Sequence, residues 1–495
     1  MVRINSLSRF ALFSVSLVLL SVLLTGCTQA TPPTSQPVIQ FEDCQLATPG
    51  LENSVKARCT SFNVLENRSN PAGRQITLNI AVVPAVSRNP EPDPLFILVG
   101  GPGQSATEVY PALAQSFGRV HNDRDIVLVD QRGTGKSNPL ECDLPEGEEG
   151  EVLSDQEQID LLKQCSYKLN ANLRMYTTDI AIQDLEQVRT ALGYTQVNLY
   201  GSSYGTRVAL DYLRRSPTRV RSMILDGVTS ADFLVYFNTT RDATRAINLL
   251  FDRCQADPIC RKTFPDLRVE FEELLIRVEQ QPAHVSMPNP VSGKPLEFTM
   301  TRDKLSILVF ALLYTPEVSS LLPLSIQMAY AEGNFAPLVT QAATSDAGLY
   351  LGLLYAVLCS EDVPYMTSAE HVSASPGSYF GDMSKDLREV CTAWPQAEIS
   401  SDFHRPVSSD VPVLLLSGEA DPITPPVYAD LVAQTLPNSL HLVLRGMGHG
   451  NIMRGCIPRI AADFIEKASV EGLDTACMDK ITPPPFFISV TGPLP

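Results

Sequence analysis

What is scarce in this sequence removes several classes of function. Long basic runs are absent and the formal net charge is −17 at pH 7, so a surface that tracks nucleic-acid phosphates is not expected. There is no CxxC pair and no Cys/His cluster at zinc-like spacing, which argues against a structural metal. The glycine run at 100–103 lacks the G-x-G-x-x-G spacing, and no P-loop lysine follows it; neither signature of a nucleotide site is present, and no cofactor is expected. The leading apolar run, Phe10 to Leu24, is short for a membrane span. No internal repeat is visible. Histidine is rare, with six in 495 residues, so a catalytic base can be sought one candidate at a time.

What is present first is an export signal. Arg3 and Arg9 precede the apolar run, which reads as a signal peptide over residues 1–26. The run closes on Leu24-Thr25-Gly26-Cys27, which resembles a bacterial lipoprotein signal, and that resemblance implies lipid attachment at Cys27. Residues 27–40 then read as a flexible Ser/Thr/Pro-rich tether. Ten cysteines follow Cys27, and an even number in an exported chain suggests disulfides. Nearest-neighbour pairing predicts Cys44–Cys59, Cys142–Cys165, Cys254–Cys260, Cys359–Cys391 and Cys456–Cys477.

The chain is 44% hydrophobic, enough for a large core with insertions. Over residues 74–227, apolar β-branched runs alternate with helical patterns, the rhythm of parallel strands joined by crossover helices. Strands are expected near 76–84, 94–100, 125–131, 196–200 and 221–226, several of them apolar throughout as in a sheet covered on both faces. Residues 177–193 read as a crossover helix with threonine caps at one end and Gly193 at the other. The rhythm stops after Val228 and resumes with strands near 411–421 and 440–450. Residues 41–228 and 406–480 are therefore expected to form one split core, 229–405 a helical cap, and 481–495 a tail. The acidic run 146–151 reads as a solvated loop, and Trp394 as packing at the cap boundary.

Within this frame the stretch YGSSYGT, residues 200–206, places Ser203 at the centre of G-x-S-x-G, after a strand and before a helix. That context is the nucleophile elbow, in which small flanking residues let a sharp turn lift the central side chain to the carboxyl end of the sheet. Ser203 is the expected nucleophile and Ser202 a small neighbour. A serine hydroxyl needs a base, and His449 in GMGHGN differs from the other five histidines in following the last apolar strand. The base needs an acid; Asp421 follows VPVLLLSGEA, with Glu419 and Asp226 as competitors. The developing oxyanion needs donors, expected from the Tyr204 N–H and from the Gly100–Gln104 loop. Pro102 has no N–H, and Gly101 is favoured over Gly103 and Gln104.

The pieces GGPGQS (100–105), DQRGTGKSNP (130–139), YGSSYGT, RVRSMILDGV (219–228), SGEADPITPP (417–426) and GMGHG (446–450) resemble, in the same order, the proline iminopeptidase and tripeptidyl-aminopeptidase group of α/β-hydrolases. Val99 stands where proline iminopeptidases usually carry histidine, and Cys456 with the tail resembles the secreted tripeptidyl-aminopeptidases. The resemblance implies an α/β-hydrolase fold, a mostly parallel eight-stranded sheet with a helical cap inserted after the sixth strand. It further implies a serine aminopeptidase that removes residues or short peptides from free N-termini, with Glu361 and Asp362 in AVLCSEDVP as the anchor for the substrate amine. Arg132 and Lys136 would belong to a structural turn, not a phosphate site. Peptides with a free N-terminus are then the partners, and the membrane is reached through a lipid on Cys27, on the periplasmic or extracellular face of a bacterial envelope. An esterase using the same triad and an inactive peptide-binding lipoprotein are the competing readings.

Overall fold

The computed structural model describes residues 39–50, 52–142, 144, 154–290, 292–343, 348–366 and 378–493. The signal sequence 1–26, Cys27, all but the end of the tether 27–40, the acidic run 146–151 and His371 lie outside the described residues. All elements below belong to the compact unit Phe41–Pro495.

The strands, in chain order, are β1 (Glu42–Ala47), β2 (Ser54–Leu65), β3 (Gln75–Val83), β4 (Leu95–Leu98), β5 (Ile126–Val129), β6 (Val197–Ser202), β7 (Val220–Asp226), β8 (Ala283–Pro288), β9 (Pro295–Met300), β10 (Val413–Gly418) and β11 (Ser439–Leu444). Nine of them form one sheet in the order β1-β2-β3-β5-β4-β6-β7-β10-β11. Strands β1, β2, β3 and β5 pair antiparallel in turn, and every pair from β5 to β11 is parallel. Apolar runs dominate the central strands because the sheet is covered on both faces. In β5, Val127 and Val129 enter one apolar cluster while Ile126 and Leu128 enter the other; in β10, Val413 and Leu415 oppose Leu414 and Leu416 in the same way.

The seven expected strands are all present as β3 to β7, β10 and β11. The sheet, however, has nine strands and not the expected eight, and the cap enters after the seventh strand in chain order, not the sixth. The extra pairing is the N-terminal hairpin β1–β2, whose mixed sequences lie half-exposed at the sheet edge and carry no apolar run that would reveal them. The cap is mainly helical, as expected, with a hairpin among its helices. Helices Thr239–Ala256, Leu267–Gln280, Arg302–Leu312, Leu322–Glu332 and Leu351–Glu361 dominate it, but β8 and β9 form an antiparallel hairpin whose period-two pattern is too polar to stand out. The five disulfides form as nearest-neighbour pairs: Cys44–Cys59, Cys142–Cys165, Cys254–Cys260, Cys359–Cys391 and Cys456–Cys477. Among the described residues, no helix is long and apolar enough to cross a membrane.

Candidate active site

The parallel register brings the carboxyl ends of three strands into line: Ser202 of β6 lies opposite Asp226 of β7, which lies opposite Leu416 of β10. Residues just past these ends share one edge of the sheet, where ligands of open α/β sheets sit. Ser203 follows β6 and precedes the helix Tyr204–Arg215. Its φ of 56° is a left-handed conformation that a non-glycine residue adopts at a cost. The surroundings impose it: Ser203 N–H donates to the Asp226 carbonyl at 2.8 Å, and its own carbonyl accepts from Thr206 N–H at 2.9 Å and Thr206 Oγ1 at 2.7 Å. The flanking glycines answer to space. A Cβ on Gly205 would lie 2.1 Å from the Leu98 carbonyl oxygen, and one on Gly201 2.5 Å from that of Gly205.

Asp421 and His449 meet in the loops after β10 and β11. His449 Nδ1 donates to Asp421 Oδ2 at 2.8 Å, leaving Nε2 as the free base. Asp421 has no exposed surface while His449 keeps 13% of its side chain exposed, so the base can be reached and the acid cannot. Asp421 Oδ1 accepts from the Ile423 and Thr424 amides at 2.9 and 2.8 Å, and Thr424 Oγ1 donates to Oδ2 at 2.8 Å. Burial pushes the Asp421 carboxyl up, but the His449 charge and these hydrogen bonds outweigh it and hold it below the ordinary value. Burial conversely pushes the His449 imidazole down; the charge and hydrogen bond of Asp421, with Asp226 nearby, outweigh this and raise it. The histidine and the serine flank Gly227, which follows the Asp226 carbonyl that holds Ser203; a methyl there would meet His449 Cε1 at 2.9 Å.

The competing acids have other duties. Glu419 accepts from the Gly446 amide at 2.9 Å. Asp226 accepts from the Asn451 and Ile452 amides, each at 2.8 Å, and from the Tyr200 hydroxyl at 3.1 Å, so it braces the loop that carries His449. Another support has no signal in the sequence. Tyr314, just past a cap helix, accepts the His449 N–H at 2.6 Å through its carbonyl and stacks its ring edge-on at 5.3 Å between centroids.

The glycine loop lies against Ser203, a Cβ on Gly100 falling 3.1 Å from Ser203 Cβ. Gly100 N–H is taken by Gln104 Oε1 at 3.0 Å. Gly101 adopts φ of 105° before a cis bond to Pro102. Tyr204 opens its helix, so its N–H has no acceptor within that helix and lies at the positive end of the helix dipole. DQRGTGKS is the support beneath: Asp130 accepts from Ser105 Oγ at 2.8 Å and the Thr107 amide at 2.9 Å, and buried Arg132 pairs with Asp184 at 2.6 Å.

A cavity of about 820 Å³ adjoins the histidine through Tyr314; Tyr236, Asp303, Phe310, Tyr355 and Asp386 also line it. Glu361 and Asp362, the expected amine anchor of such a cleft, lie elsewhere. Both are fully buried. Asp362 pairs with Arg207 at 2.8 Å and accepts from the Val235 amide at 3.2 Å, while Glu361 is taken up by Thr178. Burial pushes the Glu361 carboxyl up to about 8 despite Arg207 and Thr178. Trp394 is buried and packs on Tyr355 at 5.5 Å between ring centroids. Among the described residues, no group of three or more His, Cys, Asp or Glu is placed to hold a metal ion.

Residues 93–253, which contain Ser203, match a family model of the alpha/beta hydrolase fold, and residues 377–477, which contain Asp421 and His449, match that of a TAP-like protein. The chain is 28% identical to the serine protease Hip1 of Mycobacterium tuberculosis over 46% of its own length and 47% of the relative's. It is 30% identical to a proline iminopeptidase of Xylella fastidiosa over 28% and 34%, and 27% identical to a tripeptidyl aminopeptidase of Streptomyces coelicolor over 41% and 40%. The chain thus spans about half the length, or less, of these curated relatives. The chain has the α/β-hydrolase fold, and its two matched segments, in chain order, make it similar to the proline iminopeptidases and tripeptidyl aminopeptidases of that fold.

Proposed function

We propose that the protein is an exported serine peptidase that removes residues or short peptides from the free N-termini of peptides through an acyl-enzyme on Ser203. The observation that carries this reading is the Asp421–His449 pair set beside the strained Ser203 turn, next to a cavity large enough for several residues. His449 Nε2 takes the Ser203 hydroxyl proton as Oγ attacks the scissile carbonyl. The oxyanion that forms is held by the N–H groups of Tyr204 and Gly101. His449 then passes the proton to the leaving amine, and water, deprotonated by the same nitrogen, releases the acyl group.

A substrate read by its N-terminus needs a carboxylate for its ammonium. With Glu361 and Asp362 occupied by Thr178, Arg207 and Val235, the acids on the cavity are Asp303, Asp382 and Asp386. Asp382 is paired with Arg388 at 2.6 Å. Burial first, then Asp155, Asp303 and Glu389, hold the Asp386 carboxyl above its ordinary value against Lys385. Such a like-charged group gains by accepting a cation, so the amine anchor in this reading is Asp303 with Asp386. Export is supported by the leader and the five disulfides, and membrane attachment follows from a lipid on Cys27.

The deciding experiment is hydrolysis of Ala-, Pro- and Ala-Ala-Pro- arylamides, free and N-acetylated, by wild type, Ser203→Ala and Asp386→Asn. Turnover of free-amine substrates alone, abolished by Ser203→Ala and with KM raised about tenfold by Asp386→Asn, is the expected result. Equal turnover of acetylated peptides or simple esters would establish the esterase reading instead.

A further inference from the structure

Glu361 ends a cap helix, yet its carboxylate lies beneath the nucleophile turn, at the end of a continuous hydrogen-bonded chain. Gln131 Nε2 donates to the Tyr204 hydroxyl at 3.1 Å, the Tyr204 hydroxyl lies 2.6 Å from Thr178 Oγ1, and Thr178 Oγ1 donates to Glu361 Oε2 at 2.8 Å. The Thr178 amide, in the first turn of the helix Thr178–Ala191, donates to Glu361 Oε1 at 2.6 Å. With Glu361 ionised, the one proton on each hydroxyl runs the chain from Gln131 to Tyr204, from Tyr204 to Thr178 and from Thr178 to Glu361. With Glu361 protonated, the state its raised pKa favours at neutral pH, its own proton enters the chain, and the same groups stay linked in either case. The remaining contacts hold the carboxylate in place. Arg207, one turn along from Tyr204, lies 3.7 Å from Glu361 Oε2 and pairs with Asp362, and His404 Nε2 faces the Glu361 carbonyl at 2.8 Å.

We propose that Glu361 is a positioning residue for the oxyanion hole: through Thr178 it pins the Tyr204 phenol, and so fixes where the Tyr204 N–H points. The proposal rests on the acyl-enzyme reading. Its physical content is that Tyr204 is held from both directions. Behind it, Ser203 is tied to Asp226 and Thr206; ahead of it, the phenol is tied through Thr178 to the cap. A peptide plane fixed at both ends aims its N–H without having to reorganise as charge develops, the condition under which an oxyanion donor is most effective. The cap thereby does more than cover the cleft, because a helix inserted between β7 and β10 in sequence supplies a group that orients a catalytic amide just past β6. It also gives a role to Glu361, a buried acid that the hydrolytic steps do not use, beside Asp362 and the mostly buried Arg207.

The test uses the purified full chain, with active sites counted by fluorophosphonate labelling and turnover followed on an aryl ester and on the best arylamide. Tyr204→Phe removes the phenolic hydroxyl but keeps the amide, and Glu361→Gln keeps shape but weakens the acceptor. Each is expected to lower kcat per labelled site about tenfold with KM within about twofold, the loss appropriate to an amide displaced but not removed. The double variant is expected to be no slower than the worse single one, since both interrupt one chain. A purely structural role would lower the melting temperature and leave kcat per labelled site unchanged, and that outcome, or losses that multiply in the double variant, overturns the proposal. If Glu361→Gln does not fold, Tyr204→Phe and Thr178→Val decide on the same terms. Wild type that takes no fluorophosphonate overturns the acyl-enzyme reading and this proposal with it; labelled wild type with unaffected variants overturns the positioning role alone.

Discussion

At His449 burial and a neighbouring carboxylate act in opposite directions, and the carboxylate prevails. The base works only when neutral, so raising its pKa moves the rise of activity with pH upward: kcat/KM is expected to climb through a midpoint above 6.5, the ordinary histidine value. Asp421→Asn removes the charge that raises the imidazole and leaves burial unopposed, so the same midpoint should fall, while kcat drops by about 10³–10⁴ through loss of the correct tautomer. A pH–rate profile of both proteins checks this, and a midpoint that stays put in the variant would show that Asp421 does not set the histidine. This residue pair is legible in the sequence itself, because a rare histidine and an acid each follow an apolar strand. Thr424 and Tyr314 are not, since one acts by a short-range hydroxyl and the other by a backbone carbonyl whose reach depends on how the cap folds back.

At the level of elements, the turn between β6 and its helix stores conformational strain that only close packing can hold. The Gly205 backbone runs so near β4 that a methyl group would overlap the Leu98 carbonyl. Gly205→Ala is therefore expected to destabilise the protein by about 2–4 kcal/mol and to lower kcat as well, because relief of the overlap must move Ser203 or Tyr204. Denaturant unfolding together with active-site titration separates the two effects; an alanine variant with unchanged stability would mean that the turn has room to relax. The hairpin β1–β2 makes the opposite case. In the sheet order β3 and β5 stand between it and β4, and β6 lies farther still, while Cys44–Cys59 joins its two strands. Replacing both cysteines by alanine is expected to cost about 3 kcal/mol for a loop of this size and to leave kcat unchanged, as unfolding and turnover measured side by side would show. Strand rhythm reveals the central elements because they are apolar on both faces; β1, β2, β8 and β9 escape it because half-exposed hairpins spread their few apolar residues among polar ones.

At the level of the whole molecule, the five disulfides accord with the proposal that the protein works outside the cytoplasm. If Cys27 carries the lipid, Cys27→Ser should move activity from the membrane to the soluble fraction without altering kcat, because the tether keeps the anchor apart from the catalytic unit in sequence. Fractionation of cells expressing each form measures this, and activity that remains with the membrane in the variant would point to another means of attachment. The sequence by itself determines the order of the chain, an early core, an insertion and a late core, and marks the Ser203 turn and the positions of Asp421 and His449 after apolar strands; which cysteines pair is decided by the fold. The order, the turn and the two positions depend on local pattern, on spacing along a strand or turn and on the rule that catalytic groups follow carboxyl ends of parallel strands. The destination of Glu361 and Asp362 is decided by tertiary structure alone. Sequence shows two acids ending an apolar helix, but whether they meet a substrate's ammonium or Thr178 and Arg207 depends on the angle at which the cap returns to the core. That angle is set by side-chain packing over long sequence separations, and no local pattern records it.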